Sequence, residues 1–423
     1  MKSSNIGGQA VLEGVMMRNK EKIAVAVRKP DGGIRVGKTT YKSASTKYKF
    51  LKWPIIRGCV SFVDSLIMGI KTLMYSADVY ASDQEEEKEK GLTDDFMNDT
   101  FKEKGESAMM IGTVAFSLVI AVALFIILPY FLSSLLMKWT NISSNFLLAL
   151  IEGIIKILIF IGYIAAIAQM KDIKRTFMYH GAEHKCINCI ESGLDLTVDN
   201  VMKSSKEHRR CGTSFIFIVL FISIIFFMFI RIENIPLRII IRLLLIPVIA
   251  GVSYEFIKWA GNSDSKLAEA LSKPGLWMQG FTTKEPTRDM VQVGIASVIS
   301  VFDWKPYVEE VRKEIAKKER REQRAKEREE ARLKGISEET FEEPEDEAEE
   351  AKKSEKQEEA ANASEKPLKG TVDLKADEVE EFIENGWKTK EDEDSAEAEE
   401  KQENTEASGD DAENTEALEN KEA

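Results

Sequence analysis

Four long apolar segments constrain the fold of this chain more than any other feature of its sequence. A membrane-spanning helix needs about 20 predominantly apolar residues, and residues 108–137, 145–170, 213–230 and 237–258 are each near or above that length. Backbone polar groups in a lipid core must be hydrogen-bonded within the protein, so such segments are expected to be helices. The sequence therefore predicts a mainly α-helical integral membrane protein with a four-helix domain over residues 108–260.

Charge divides the chain into two unlike parts. Residues 336–423 hold 34 Asp and Glu against 10 Lys and Arg, a net charge of −24, whereas the whole chain carries −13. Residues 1–335 therefore carry +11, which fits a protein whose first partners are the lipids of an anionic membrane face. The acidic stretch has too little apolar surface to fold alone, and we predict a disordered tail over 336–423. Its one apolar cluster, around Trp387, is a candidate site for a protein partner.

The segments that flank the apolar domain have patterns of their own. Alternating apolar residues on either side of Pro-Asp-Gly-Gly predict a β-hairpin, so residues 1–52 are expected to form a small β-rich part. Residues 53–80 carry a charged stripe and predict an amphipathic or interfacial helix. Residues 261–303 predict compact helical structure, and 304–335 predict an exposed charged helix with the alternating charges typical of coiled coils.

Loop charges predict the orientation in the membrane. The segment 171–212 between the second and third spans is rich in Lys and Arg. The positive-inside rule then places this loop and both termini in the cytoplasm. Arginines at positions 231, 238 and 242, at the opposite end, weaken that assignment without reversing it. The N-terminus lacks the pattern of a cleaved signal, and the four cysteines do not resemble a secreted disulfide framework.

The loop also concentrates the residues that bind transition metals, including all three histidines and three of the four cysteines. His180, Glu183 and His184 form the pattern H-x-x-E-H, which on a helix places both imidazoles on one face. This is the inverted zincin arrangement, in which two histidines bind zinc and the glutamate is the general base. His208 is the remaining histidine and the natural third ligand. The predicted site is therefore Zn²⁺ on His180, His184 and His208, with Glu183 as catalytic base.

Four further residues are candidates for an additional ligand or for a hydrogen bond to a ligand. Cys211 and Glu191 lie in the same loop. Glu255 lies in the last span, where an ionisable side chain suggests function, although pairing with Lys258 or a loop arginine explains it equally well. Glu13 lies near glycines that favour turns or close backbone contact, and an exposed carboxylate is the simpler interpretation there.

From spacing alone, a structural metal site accounts for the same loop equally well, and a third interpretation has no metal, with the histidines capping membrane helices. Cys186 and Cys189, followed by His208 and Cys211, have the spacing of a zinc ribbon with one histidine. The histidines of H-x-x-E-H would then stabilise the fold by hydrogen bonds. Other chemistry is absent from the sequence: there is no phosphate-binding G-x-x-x-x-G-K-S/T loop, no G-x-S-x-G elbow, and no pattern that predicts nucleic-acid binding.

Several motifs in order resemble an uncharacterised family of bacterial multi-pass membrane proteins, a domain of unknown function described as predicted metal-dependent enzymes. They are GGQAVLEGVMMR, YHGAEHK, RCGTSF, SYE and TTKEP, and the resemblance covers about residues 7–302. It implies that His180, Glu183, His184, His208 and Cys211 belong to the shared pattern, whereas Cys186 and Cys189 do not. The resemblance thus favours the histidine-centred site over the ribbon. Arg209 replaces a common proline.

These observations predict a metal-dependent hydrolase of unknown substrate, facing the cytoplasm, with a lipid-linked or membrane-proximal substrate. The alternative is a non-enzymatic membrane scaffold, in which a structural zinc stabilises the loop and the acidic tail binds a protein partner.

Overall fold

A computed structural model describes residues 3–43, 48–82, 104–140, 144–230, 232, 234–261, 263, 265–333 and 370–385. The predicted connector after residue 82 and most of the predicted tail, with Trp387, lie outside these residues. The strands are β1 (Ile6–Val11), β2 (Gly14–Asn19), β3 (Lys22–Arg28), β4 (Ile34–Thr40) and β5 (Gly370–Leu374). The helices are α1 (Ile56–Ser82), α2 (Lys104–Val122), α3 (Leu128–Thr140), α4 (Asn145–Ile167), α5 (Lys171–Glu191), α6 (Val198–Lys203), α7 (Gly212–Phe229), α8 (Ile235–Gly261), α9 (Lys266–Thr282), α10 (Arg288–Ile299), α11 (Trp304–Leu333) and α12 (Val379–Asn385). A π-helical segment, Ala123–Ile127, joins α2 to α3.

The N-terminal residues form the predicted β structure, an antiparallel sheet in the order β1 to β5. Two-residue turns connect β1 to β2 and β2 to β3, and each has a residue with positive φ, 49° at Glu13 and 54° at Lys20. Positive φ is what a tight hairpin turn of this length requires. The predicted hairpin of β3 and β4 is confirmed, with Lys22 opposite Thr40.

The fifth strand corrects the prediction of a disordered tail. Residues 370–385 lie within 336–423, yet β5 pairs with β4 and α12 packs its Val379 and Phe382 into the core. Pairing satisfies backbone groups that β4 would otherwise expose at the edge of the sheet. Part of the apolar cluster near Trp387 therefore packs into this protein's own core.

Helices cover both faces of the sheet. Val15, Met17, Ala24 and Ala26 face a core shared with α5 and α10. Their neighbours on the opposite face, which include Val25, pack against one side of α1. Because strand side chains alternate between faces, the nearly continuous burial of β2 and β3 follows from this three-layer arrangement. The sheet thereby holds β1 against α5, which carries the H-x-x-E-H residues.

Five helical segments are long and apolar enough to cross a membrane, which suggests a membrane protein. They are Ile56–Ala81, Gly112–Thr140, Phe146–Ile167, Gly212–Phe229 and Ile240–Ala260. The last four correspond to the four predicted spans. The first lies in α1, predicted as an interfacial helix, and it has the lowest hydropathy of the five.

Shorter helices follow the last apolar helix. α9 and α10 agree with the helical structure predicted for 261–303, and α11 agrees with the charged helix predicted for 304–335. The expectation that this charged helix buries no face is wrong in its first turns. Val308 and Val311 are fully enclosed by the protein, so they anchor α11 to the rest of the fold.

Candidate metal centre

One face of α5 presents His180 and His184 one helical turn apart. Their ring centroids lie 4.4 Å apart. The Nδ1 atom of His180 lies 2.9 Å from the backbone oxygen of Thr282, and Nδ1 of His184 lies 2.7 Å from that of Lys206. Since a carbonyl oxygen can only accept a hydrogen bond, each Nδ1 carries a proton, and Nε2 of the neutral ring keeps its lone pair. Both rings are therefore oriented as metal-ligating histidines usually are.

Tight packing fixes the position of α5. Gly181 lies so close to the residues after α9 that an added Cβ would meet the Lys284 oxygen at 2.0 Å. The Lys284 N–H donates to the Phe177 oxygen at 2.9 Å. On the other side, the ammonium of the buried Lys185 donates to the backbone oxygens of Met202 and Ser204. These contacts hold the two carbonyl acceptors of the histidine rings in place.

Cys211 joins the two histidines. It lies at the N-terminus of α7, and its Sγ is 3.2 Å from Nε2 of His180. One ligand atom from each of His180, His184 and Cys211 lies within 4.8 Å of the others. Nitrogen and sulfur ligands are those that zinc prefers, and three of them leave a fourth position open.

Glu183 lies between the histidines and the first strand. Its Oε2 is 3.6 Å from Nε2 of His184 and 4.0 Å from Nε2 of His180. A Cβ added to Gly8 would come within 2.5 Å of the Glu183 Cγ, and the Gly8 N–H donates to the carboxylate. Burial raises the pKa of Glu183, while the neighbouring His180 and His208 and the Gly8 hydrogen bond oppose that effect. The glycine of β1 is thus the close backbone contact that the sequence predicted.

His208, the predicted third ligand, lies beside this group with its Nε2 directed elsewhere. That nitrogen is 3.6 Å from Oε2 of Glu191 and 3.4 Å from a guanidinium nitrogen of Arg210. The side chain of the buried Gln279 fixes the backbone of His208 from both sides, accepting from its N–H at 3.0 Å and donating to its oxygen at 2.7 Å. Among the described residues, the ligand group contains Cys211 in the place predicted for His208.

Glu191 forms a polar cluster with its neighbours next to the site. It accepts hydrogen bonds from the backbone N–H and the hydroxyl of Ser4 and pairs with Arg210. Burial raises the pKa of Glu191, but His208, Arg210 and Ser4 outweigh burial and lower it to about 2. Glu191 is therefore an ionised partner of His208 and Arg210 rather than a member of the ligand group.

The other two candidate carboxylates lie apart from the histidines. Glu13 pairs with Arg175 and accepts from the hydroxyl of Tyr179, on α5 upstream of the site. Glu255 pairs with Arg57, so it joins α8 to α1. Neither carboxylate belongs to the ligand group or lines the cavity described below.

The two cysteines of the ribbon hypothesis point away from the site. Cys186 packs against α10, where a Cβ added to Gly294 would meet its Sγ at 2.9 Å. The Cys189 Sγ lies 3.4 Å from the backbone oxygen of Asp195. In the described part of the chain, neither thiol groups with His208 and Cys211.

A cavity of about 370 Å³ is lined by His180, Glu183, His184 and Cys211, and His208 also lies at its wall. Residues 5–8 of the N-terminal part line one side, and Tyr254, Ile257 and Lys258 of α8 line another. Arg210 and Lys258 supply positive charge at its wall. Sequence reasoning missed Gln279, Tyr254 and Lys258, because their signal is proximity in space rather than a local pattern.

The fold and this site define a class: a protein with membrane-length helices and a His–Cys cluster where the helices meet a small sheet. The chain belongs to the family described as Protein of unknown function (DUF1385), whose model matches residues 53–304. This confirms the resemblance to an uncharacterised family. Uncharacterized protein YqhQ of Bacillus subtilis (strain 168) is 35% identical over 316 residues, 73% of this chain and 95% of that protein. No solved structure matches the chain significantly.

Proposed function

We propose that this protein is a metal-dependent hydrolase that acts at a membrane surface and holds one divalent cation, most simply Zn²⁺, on His180, His184 and Cys211. The observation that carries the proposal is the convergence of the three side chains, with Nε2 of His180 3.2 Å from the Cys211 Sγ. Both histidine Nδ1 atoms are hydrogen-bonded to backbone oxygens, which is the usual arrangement of metal-binding histidines. A cation bound there would act as a Lewis acid and make a water molecule more acidic.

Glu183 is the proposed general base. Its carboxylate is within 4.0 Å of the Nε2 atoms of both histidines, and burial together with the Gly8 contact holds it in one place. A carboxylate of raised pKa beside a reacting water can accept the proton that the water loses. The role predicted from H-x-x-E-H thus has geometric support, while the third ligand changes from His208 to Cys211.

The cavity wall favours a substrate at the membrane surface. Tyr254, Ile257 and Lys258 belong to the last turns of the final membrane-length helix, so a substrate reaching Glu183 passes the end of that helix. The substrate class that fits is a lipid-linked molecule or a membrane-proximal peptide. The cationic Arg210 and Lys258 favour a substrate that is negatively charged near the reacting bond.

The sheet supports four crossings and a cytoplasmic site. β1 to β4 precede all membrane-length helices and β5 follows them, yet all five strands form one sheet. The strands that precede and follow the helices therefore lie on one side of the membrane, and the number of crossings between them is even. Because α1 packs its Met68, Tyr75 and Val79 against the sheet, it is the helix that stays on that side. Its exposed residues Val63, Leu66, Ile70 and Leu73 form the apolar face of an interfacial helix. The basic loop 171–212 then assigns that side to the cytoplasm.

Glu183→Gln tests the enzymatic role. The variant is expected to keep the fold and the bound metal but to lose turnover. Because the substrate is unknown, lipids and peptides are compared in membranes from cells that express wild type, Glu183→Gln or no protein. Wild type should deplete a species that persists with Glu183→Gln.

Glu207→Gln is the matched control, since Glu207 is exposed in the same loop. It should behave as wild type. Identical profiles for wild type and Glu183→Gln, with no species depleted by either, would refute the hydrolase proposal.

A further inference from the structure

Three charged side chains are buried in the membrane-length helices, away from the His–Cys cluster. Glu152 and Lys156 lie one turn apart on α4, and Arg242 lies on α8. Each retains 6% or less of its surface exposed. Ionisable groups inside a membrane bundle are costly to keep, so they usually have a function or a full set of partners.

Both carboxylate oxygens of Glu152 are hydrogen-bonded to Arg242. Its two oxygens accept from the two terminal guanidinium nitrogens of Arg242 at 2.5 and 2.9 Å. This bidentate pair cancels one negative and one positive charge. The Nε of Arg242, however, is buried without a hydrogen-bond partner.

Lys156 is the unbalanced charge of the cluster. Within the described residues, its ammonium contacts the ring of Phe227 at 4.9 Å but no hydrogen-bond acceptor. The Arg242 guanidinium lies 4.7 Å from the same ring and 5.9 Å from that of Tyr130. Aromatic faces attract cations but do not neutralise them. The cluster therefore holds two cations and one anion. Its Arg242 Nε is a buried donor without an acceptor, and the Lys156 ammonium faces an aromatic ring.

We propose that Lys156 and Arg242 form a binding site for a singly charged oxyanion of the phosphate type, which shares Arg242 with the Glu152 carboxylate. A phosphate group would satisfy the charge balance and could accept from both the ammonium and Nε. Lysine and arginine are the usual protein partners of phosphate.

A phosphate-bearing lipid is the source that the location favours. Phe227 follows Cys211 by sixteen residues on α7, about 24 Å along the helix axis, so the cluster lies toward the other end of the bundle from the metal centre. Large apolar side chains nearby on α7 and α8, Phe229 and Leu244, are 81% and 70% exposed. A lipid can keep its chains on this apolar surface while its phosphate enters the cluster.

The test uses the full-length protein in nanodiscs of zwitterionic lipid. Dioleoyl phosphatidic acid, phosphatidylcholine and inorganic phosphate are titrated separately, and binding is followed by native mass spectrometry and by thermal unfolding. Phosphatidic acid should bind saturably to wild type, and Lys156→Met should weaken binding at least tenfold. Lys156→Arg should restore most of it. Lys313→Met, which removes an exposed lysine of α11, should have no effect.

Glu152→Gln is a second variant that tests the same site if Lys156→Met fails to fold. Removing the competing carboxylate should tighten phosphate binding severalfold. Binding of inorganic phosphate with the same dependence on Lys156 would support the site and assign a soluble source. Equal binding to wild type and Lys156→Met, or no binding of either phosphate compound, would overturn the proposal.

Discussion

Gly181→Ala tests how closely the metal centre depends on one backbone contact. Gly181 lies inside α5, where an exposed Gly→Ala change would ordinarily stabilise a helix by about 1 kcal/mol. Here the new Cβ would lie 2.0 Å from the Lys284 oxygen, whereas ordinary contacts begin at 3.4 Å. The oxygen belongs to the backbone and the Cβ has a fixed position on it, so no side-chain rotation can relieve the contact.

The required movement is therefore more than 1 Å between α5 and the residues that follow α9. Overpacking of this kind costs about 1–3 kcal/mol, so the sign of the usual Gly→Ala effect is reversed. Thr282, the last residue of α9, lies two positions before Lys284, and its oxygen is 2.9 Å from Nδ1 of His180. Displacing it breaks the bond that orients this ligand, and metal affinity should fall with stability.

Thermal unfolding and metal content of the purified protein in detergent measure both effects. Gly280→Ala is the matched control, because nothing lies within 4 Å of a Cβ added at that helical position. The control should equal or exceed wild type in stability and retain its metal. A Gly181→Ala protein with wild-type stability and metal content would show that α5 does not pack on Lys284 as described.

Two further predictions concern the surroundings of the site. Glu191→Gln should cost on the order of 3 kcal/mol at neutral pH, because the pKa of Glu191 in the folded state is about 2 rather than 4.5. A lowered carboxyl pKa stabilises the fold above pH 4.5. The difference in free energy of unfolding between wild type and variant, measured in urea, should therefore shrink as the pH falls from 4.5 toward 2. A difference independent of pH would contradict the ion pair. Phe382→Ala should cost about 3 kcal/mol of local stability and expose β4 amides to hydrogen exchange. Asp373→Asn should cost less than about 1 kcal/mol, because the Asp373 side chain is 49% exposed and solvent screens its pair with Arg35. Equal protection of β4 in the two variants would argue against packing of α12 on the core.

The features predicted correctly are those that depend on local sequence patterns. The period of a helix is enough to pair His180 with His184 and to place Glu183 beside them. The apolar lengths identify four of the membrane-length helices, and alternation around Pro30–Gly33 identifies the β3–β4 hairpin. The two glycines of β1 signal a close approach, which the structure shows between Gly8 and Glu183.

The choice between His208 and Cys211 could not be made from the sequence. The two residues are three positions apart in an irregular segment, and residue type alone favours the histidine. In the fold, α7 begins at Gly212 and has Cys211 at its N-terminus beside His180, while Glu191 and Arg210 engage His208. This arrangement is why we propose Cys211 as the third ligand.

The fifth strand is the second feature that local reasoning missed. β5 pairs with β4 across more than 300 residues, with Leu374 opposite Ile34. Its acidic surroundings predict disorder, and nothing within the segment itself identifies its partner. The partner is the edge of β4, whose backbone N–H and C=O groups are free to pair with another strand until β5 binds.

X-ray absorption of the zinc-loaded protein tests the central claim most directly. We predict one zinc per chain with one sulfur and two imidazole ligands from the protein. The sulfur contribution should be lost in Cys211→Ser and kept in the double variant Cys186→Ser/Cys189→Ser, and His208→Asn should retain zinc. A zinc that survives in His180→Ala/His184→Ala, or a shell of imidazole nitrogens without sulfur, would contradict the His180–His184–Cys211 site.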